Sequence, residues 1–273
     1  MKKFENILFC TDLDGTLVGD GRSISRENLD AIEYFKSEGG LFTFITGRMP
    51  DASERFYREL DPNIPFGCIN GGGLYDHRRR EYLWLASLPE EARELVAYID
   101  REMPTVGIQL NTSKHIYFNK DNPAMVNFRK VTGLPNIACH FSEVKEPIAK
   151  VLFVDDDEEK LLRCAELLNA HPLAHTVDFI RSEYTLYEIL PKGISKATSL
   201  IKLCELLKLD IKRTIAIGDY DNDIKMIKAA GLGIAVANAS DNAKAAADHI
   251  TVSVNEHAIA MVISDLDCGK LKL

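Results

Sequence analysis

Apolar and polar residues alternate along this chain with two periods. Short, nearly continuous apolar runs of four to seven residues are followed by stretches in which apolar residues return every three or four positions. The first are what a strand buried on both faces requires, and the second mark helices with one apolar stripe. Asn6 to Thr11 predicts the first strand. Ser25 then reads as the N-cap of a helix whose Leu29, Ile32 and Phe35 share a face, and Gly39-Gly40 ends it before a second strand, Leu41 to Thr46. A helix over Asp51 to Leu60 and a short strand, Phe66 to Ile69, follow, with Asn70-Gly71-Gly72-Gly73 as a flexible exit.

The same alternation returns near the carboxyl end. Helices are predicted over Lys196 to Leu207, Ile224 to Ala230 and Asp241 to Ala247, with strands Thr214 to Ile217, Gly233 to Val236 and His249 to Val252 between them. Strands alternating with helices predict an α/β fold around a parallel sheet. Between the two halves the text changes to the strands Gly107 to Leu110, His115 to Phe118, Lys150 to Val154 and Thr176 to Phe179, mixed with helices near Pro89 to Arg101 and Glu158 to Ala170. We therefore expect a Rossmann-like parallel-sheet core over residues 1–74 and 187–273, with an α/β domain inserted over 75–186.

Length and composition narrow the function. A chain of 273 residues, 46% of them hydrophobic, can bury a sizeable core. The formal net charge of -8 and the absence of a basic tract longer than His77-Arg78-Arg79-Arg80 make nucleic acid and membrane surfaces poor partners. No segment approaches the ~20 apolar residues of a membrane-spanning helix, and Asp12 and Asp14 interrupt the apolar amino terminus before a signal core could form. The expected location is cytoplasmic. Six scattered cysteines and seven scattered histidines offer no zinc spacing, so a metal here would be held by oxygen.

Four polar groups fall at the ends of predicted core strands: Asp12-Leu13-Asp14-Gly15-Thr16, Thr46-Gly47-Arg48, Lys196 within PKGISK, and Gly218-Asp219-Tyr220-Asp221-Asn222-Asp223. Taken singly, each could be a turn or a cap. Lys196 is the least ordinary, because a cation in the first turn of a helix opposes the helix dipole by roughly 0.3–1 kcal/mol, which a bound anion would offset. Together they suit phosphoryl transfer. Asp12 and Asp219 could hold Mg²⁺ with oxygen ligands. Asp12 would attack phosphorus and Asp14 would move the proton. Thr46, the Gly47 amide and Lys196 would stabilise the phosphoryl oxygens.

In this order the motifs D-L-D-G-T, T-G-R, P-K-G-I-S-K and G-D-x-x-N-D resemble the haloacid dehalogenase superfamily of phosphatases, and within it the Cof-type, sugar-phosphatase-like group with a large α/β cap. The resemblance implies Mg²⁺ bound by Asp12, the backbone carbonyl of Asp14, and Asp219, with Asp223 in support. It also implies phosphate held by the backbone of Leu13, by Thr46, Gly47 and Lys196, and by Asn222. A small phosphorylated metabolite, a sugar phosphate before others, is the expected substrate. A phosphomutase on the same core, or a non-catalytic sensor of phosphorylated metabolites, remain the alternatives. Two acidic or nucleophilic features are set aside: Asp155-Asp156-Asp157 opens a helix, where acids favour the dipole, and Cys10 alternates as a core residue.

Overall fold

A computed structural model describes residues 2–19, 23–133 and 137–273. The chain divides into two compact units, Met1–Trp84 with Ser195–Leu273, and Leu85–Ile194.

In the first unit the strands are β1 (Leu8–Thr11), β2 (Leu41–Phe44), β3 (Phe66–Cys68), β4 (Gly73–Asp76) and β5 (Glu81–Leu85), with helices α1 (Arg26–Ser37) and α2 (Glu54–Leu60) among them. After the second unit come α6 (Lys196–Leu207), β12 (Thr214–Gly218), α7 (Ile224–Ala229), β13 (Leu232–Ala235), α8 (Asp241–Ala246), β14 (His249–Ile250) and α9 (Ala258–Asp267). Five strands form one sheet in the order β14-β13-β12-β1-β2, every pairing parallel.

β1 is an interior strand of the sheet and wholly buried, so its alternate side chains feed two cores. Leu8 and Cys10 pack with Leu200, Leu203, Cys204 and Met226, while Phe9 meets Phe35 of α1 and Phe42 of β2. Ser25 caps α1 as expected, its side chain accepting from the Asn28 amide. The chain runs from β1 outward to β2 on one side and from β12 outward to β13 and β14 on the other. That places a topological switch point between β1 and β12, where ligands of open α/β sheets collect at the carboxyl ends of the strands.

The second unit holds α3 (Ala92–Glu102), β6 (Gly107–Thr112), β7 (Ile116–Lys120), α4 (Pro123–Thr132), β8 (Ile137–Ala138), β9 (Ile148–Val154), α5 (Glu158–Ala170), β10 (Val177–Glu183) and β11 (Leu186–Pro191). Its sheet has the order β10-β11-β9-β6-β7-β8 and is mostly antiparallel. Ile108, Leu110, Val151, Phe153 and Ile189 pack with Leu95, Val96 and Ile99 of α3 and Leu161, Cys164 and Leu168 of α5. At the alternate positions of the same strands lie Gln109, Asn111, Lys150 and Glu188, buried and polar.

Sequence pattern and structure differ in four places. The units divide at Leu85 and Ser195, later at each junction than residues 75 and 187, because β4 and β5 extend from β3 and β11 pairs with β9 and β10. α4 was not anticipated from its weak apolar stripe, although Asn122 caps it and Gly133 ends it in the left-handed region. The apolar periodicity of α6 predicts a stripe of Ala197, Leu200, Ile201, Cys204 and Leu207, yet Leu203 is buried and Ile201 is exposed. Residues 70–73 are not a flexible exit: Ile69–Gly71 form one buried turn with positive φ at each residue, and Gly73 begins β4.

Candidate active site

The polar groups that end β1 and β12 converge, as the switch point requires. Asp12 follows β1 directly, anchored by its amide on the Ile217 carbonyl at 2.9 Å and by the Thr11 hydroxyl on its own carbonyl at 2.6 Å. Its carboxylate, with those of Asp219 and Asp223, forms a group whose ligand atoms all lie within 4.8 Å of one another. Lys196 sits among them, 1% exposed, its Nζ 2.7 Å from Asp12 Oδ1 and 2.7 Å from Asp223 Oδ1. Ser195 and Thr198 form a reciprocal capping box that fixes the first turn of α6 and so aims this lysine.

Burial and the crowding of like charges set the electrostatics. Asp12 is pushed well above the usual carboxylate range, first by burial, against the pull of Lys196 and with Asp223, Asp219 and Asp14 adding to the rise. Asp219 is raised to about 6 by burial and by Asp223, while the Thr16 hydroxyl and Lys196 oppose the shift. Burial disfavours the Lys196 charge, yet Asp12 and Asp223 outweigh it and hold the ammonium above its ordinary range. One ammonium cannot offset three neighbouring carboxylates when all are ionised, and an all-oxygen donor set of this kind, with Asp12 and Asp223 buried and Asp219 half-buried, suits a hard divalent cation.

Asp223 supports more than it offers. Its Oδ1 is engaged by Lys196 and its Oδ2 accepts from the backbone amides of Asp219 and Tyr220 at 3.1 and 3.2 Å, so it shapes the loop that presents Asp219. Thr16, quoted in the first motif without a role, donates its hydroxyl to Asp219 Oδ1 at 2.8 Å. Gly15 has φ +83°, and a Cβ there would lie 2.4 Å from Asp219 Oδ2, so a side chain would be strained and would collide with that carboxylate.

Asp14 stands apart from the carboxylate group. Arg48 grips it with two bonds, Nε to Oδ2 and Nη2 to Oδ1, both at 2.7 Å, and stacks its guanidinium over Phe56. The sequence contained Arg48 in T-G-R, but no spacing rule pairs it with a residue 34 positions away. The Leu13 carbonyl is spent on the amides of Thr16, Leu17 and Val18, which leaves its N–H as the group that could face an anion. Thr46 Oγ1 accepts from the Arg48 amide at 3.2 Å, and an accepting hydroxyl still has its own proton to donate.

Asn222, like Lys196, is an expected phosphate contact whose donor already has a protein partner. Its Nδ2 donates to Asn70 Oδ1 at 3.1 Å, and its Oδ1 is buried with no hydrogen-bond partner among the described residues. Asn70 has the composition of a loop exit, and no sequence spacing places it beside Thr46 and Asn222.

The family model for haloacid dehalogenase-like hydrolase matches residues 9–263. The chain belongs to that family. Two curated relatives from Bacillus subtilis (strain 168), both named as 5-amino-6-(5-phospho-D-ribitylamino)uracil phosphatases, align almost end to end. One is 26% identical over 94% of this chain and 96% of its own length. The other is 29% identical over 95% and 97%. A crystal structure of a haloacid dehalogenase-like hydrolase from Bacteroides thetaiotaomicron superposes with a TM-score of 0.85 at 28% identity, covering 95% of this chain and 99% of that one. As a haloacid dehalogenase-like hydrolase with relatives named as phosphatases, the protein is an enzyme built on a parallel-sheet core with an inserted α/β cap. Among the described residues, no helix is long and apolar enough to cross a membrane.

The decoys take ordinary structural positions. Asp157 caps α5, and Asp155 is tied to Asn122, to the Asp157 amide and to Lys160. Cys10 is fully buried in the core, where burial raises its thiol.

Proposed function

We propose that the protein is a Mg²⁺-dependent phosphatase that removes phosphate from a small phosphorylated metabolite, most simply a sugar or polyol phosphate, through an aspartyl-phosphate intermediate. The observation that carries this reading is the constellation of buried Asp12 and Asp223 and half-buried Asp219 around Lys196, at the switch point of the sheet. The names of the two Bacillus relatives, each acting on a phosphorylated ribityl chain, support the substrate class.

The donor set fits the metal, since three carboxylates offer oxygen ligands within 4.8 Å of one another and a single lysine stands among them. Asp12, Asp219 and the Asp14 carbonyl would hold Mg²⁺, with Asp223 in support. Bound there, the ion would neutralise charge between an anionic nucleophile and an anionic phosphate.

The protein's own groups then divide the work. Lys196 engages Asp12 Oδ1, so in this reading Oδ2 is the oxygen that attacks phosphorus. As the bond from phosphorus to the leaving oxygen breaks, Asp14 supplies the proton to that oxygen. In the second step Asp14 takes a proton from water, the water oxygen bonds to phosphorus, and the bond to Asp12 breaks to release inorganic phosphate. Arg48 occupies one lone pair on each Asp14 oxygen, and the second lone pair of either oxygen can carry the proton, so transfer can occur with the pair intact. Thr46, the N–H groups of Leu13 and Gly47, and Lys196 would stabilise the equatorial oxygens, whose charge grows in the transition state. The inserted unit would set substrate choice.

A screen of sugar phosphates, polyol phosphates, nucleotides, pyridoxal phosphate and flavin mononucleotide, read as inorganic phosphate with and without Mg²⁺, tests the proposal. Release from sugar or polyol phosphates only with Mg²⁺ is expected. No release from any member, or isomer formation without release, would overturn it.

A further inference from the structure

The turn after β3 is strained and fully buried. Ile69 has φ +56° and Asn70 has φ +51°, both in the left-handed region. A β-branched residue there is a genuine outlier, and such strain persists only where the surroundings over-determine it. Here they do. The Ile69 amide donates to the Arg48 carbonyl and the Asn70 amide to the Thr46 carbonyl, each at 3.0 Å. Gly71, at φ +91°, packs so closely that a Cβ would lie 1.8 Å from the Ser195 carbonyl oxygen, at the start of the helix that carries Lys196.

The Asn70 side chain completes the set. Its Oδ1 accepts from Asn222 Nδ2 at 3.1 Å, and the same oxygen would be 2.9 Å from a Cβ on Gly47. One turn thus touches the Thr46–Arg48 loop, the Lys196 helix and the loop after β12. A turn needed only to reverse the chain could use residues that tolerate its backbone, and it would have no need of a buried amide aimed at Asn222. Fixing Asn222 Nδ2 also fixes its Oδ1, a buried acceptor with no partner among the described residues, which therefore suits a water or a substrate hydroxyl.

We propose that Asn70 is a positioning residue of the active site: its amide holds Asn222 and the Thr46–Gly47 loop in register, through which it acts on the phosphoryl group. This inference rests on the phosphatase reading. Asn70→Gly tests it, because glycine keeps the left-handed backbone and removes only the amide. Two readouts are used with the full chain and Mg²⁺: turnover of p-nitrophenyl phosphate, and the dissociation constant of inorganic phosphate, which needs no turnover.

The expected result is a melting temperature close to wild type, with kcat reduced about tenfold to a hundredfold and phosphate binding weakened about tenfold, the range set by small misplacements of reacting groups. Asn222→Ala should show the same pattern, and the double variant should lose little more than either single, because the two side chains act as one unit. It also serves should Asn70→Gly fail to fold. Wild-type kinetics in Asn70→Gly, fully additive losses, or a loss of stability without any change in phosphate affinity would overturn the inference alone. A wild-type protein that neither turns over the ester nor binds phosphate would overturn both this inference and the phosphatase reading.

Discussion

Arg48 holds both carboxylate oxygens of Asp14 at 2.7 Å, across 34 residues of sequence. A paired geometry of this kind fixes the plane of the carboxylate as well as its position, and lysine, a point charge, cannot reproduce it. Arg48→Lys should therefore retain the fold and lower kcat about tenfold while leaving KM nearly unchanged. An equal rise in KM with kcat intact would assign Arg48 to substrate binding instead.

The proton role of Asp14 separates by leaving group. In Asp14→Asn, p-nitrophenolate can depart without a proton, so the first turnover should still release about one equivalent of p-nitrophenol. Later turnovers should slow by roughly 10²–10⁴, the usual weight of acid–base catalysis, because water activation is lost. A sugar phosphate should be slow from the first turnover. Equal first-turnover rates for the two esters would contradict the assignment.

Lys196 is also structural. Replacing it with methionine leaves Asp12 and Asp223 buried without their shared cation, and breaking a buried pair typically costs about 3–5 kcal/mol. Chemical denaturation without added metal should show a loss of that size. A loss below about 1 kcal/mol would mean that the carboxylates find other compensation.

The buried pair Lys150 and Glu188, 2.9 Å apart in the second unit, makes a paired prediction. Lys150→Met alone should destabilise by about 3–5 kcal/mol, whereas Lys150→Met with Glu188→Leu should be near neutral or stabilising. Additive losses in the double variant would show that the two groups do not depend on each other.

Much of the architecture was legible because β1, β2, β12 and β13 are buried on both faces and so read as apolar runs, and because Ser25 and Ser195 cap their helices through local contacts. Lys196 was legible for an electrostatic reason, as a cation misplaced at a helix start. What could not be read was set by tertiary pairing. Arg48 meets Asp14, and Asn70 meets Asn222 across 152 residues, with no periodicity to announce either contact. Asn70-Gly71 has the composition of a flexible loop, and only the packing around it turns that composition into a rigid turn. The junctions of the inserted unit shifted for a related reason, since strand pairing and not composition decides where β5 and β11 belong.

The most direct test of the whole account is Asp12→Asn, assayed for phosphate release from a sugar phosphate with Mg²⁺. The account predicts a folded protein with turnover at or below the detection limit, and no phosphate carried covalently after an acid quench, whereas the wild type should trap an acyl phosphate. Turnover within a few-fold of wild type would contradict it, because the nucleophile would then lie elsewhere.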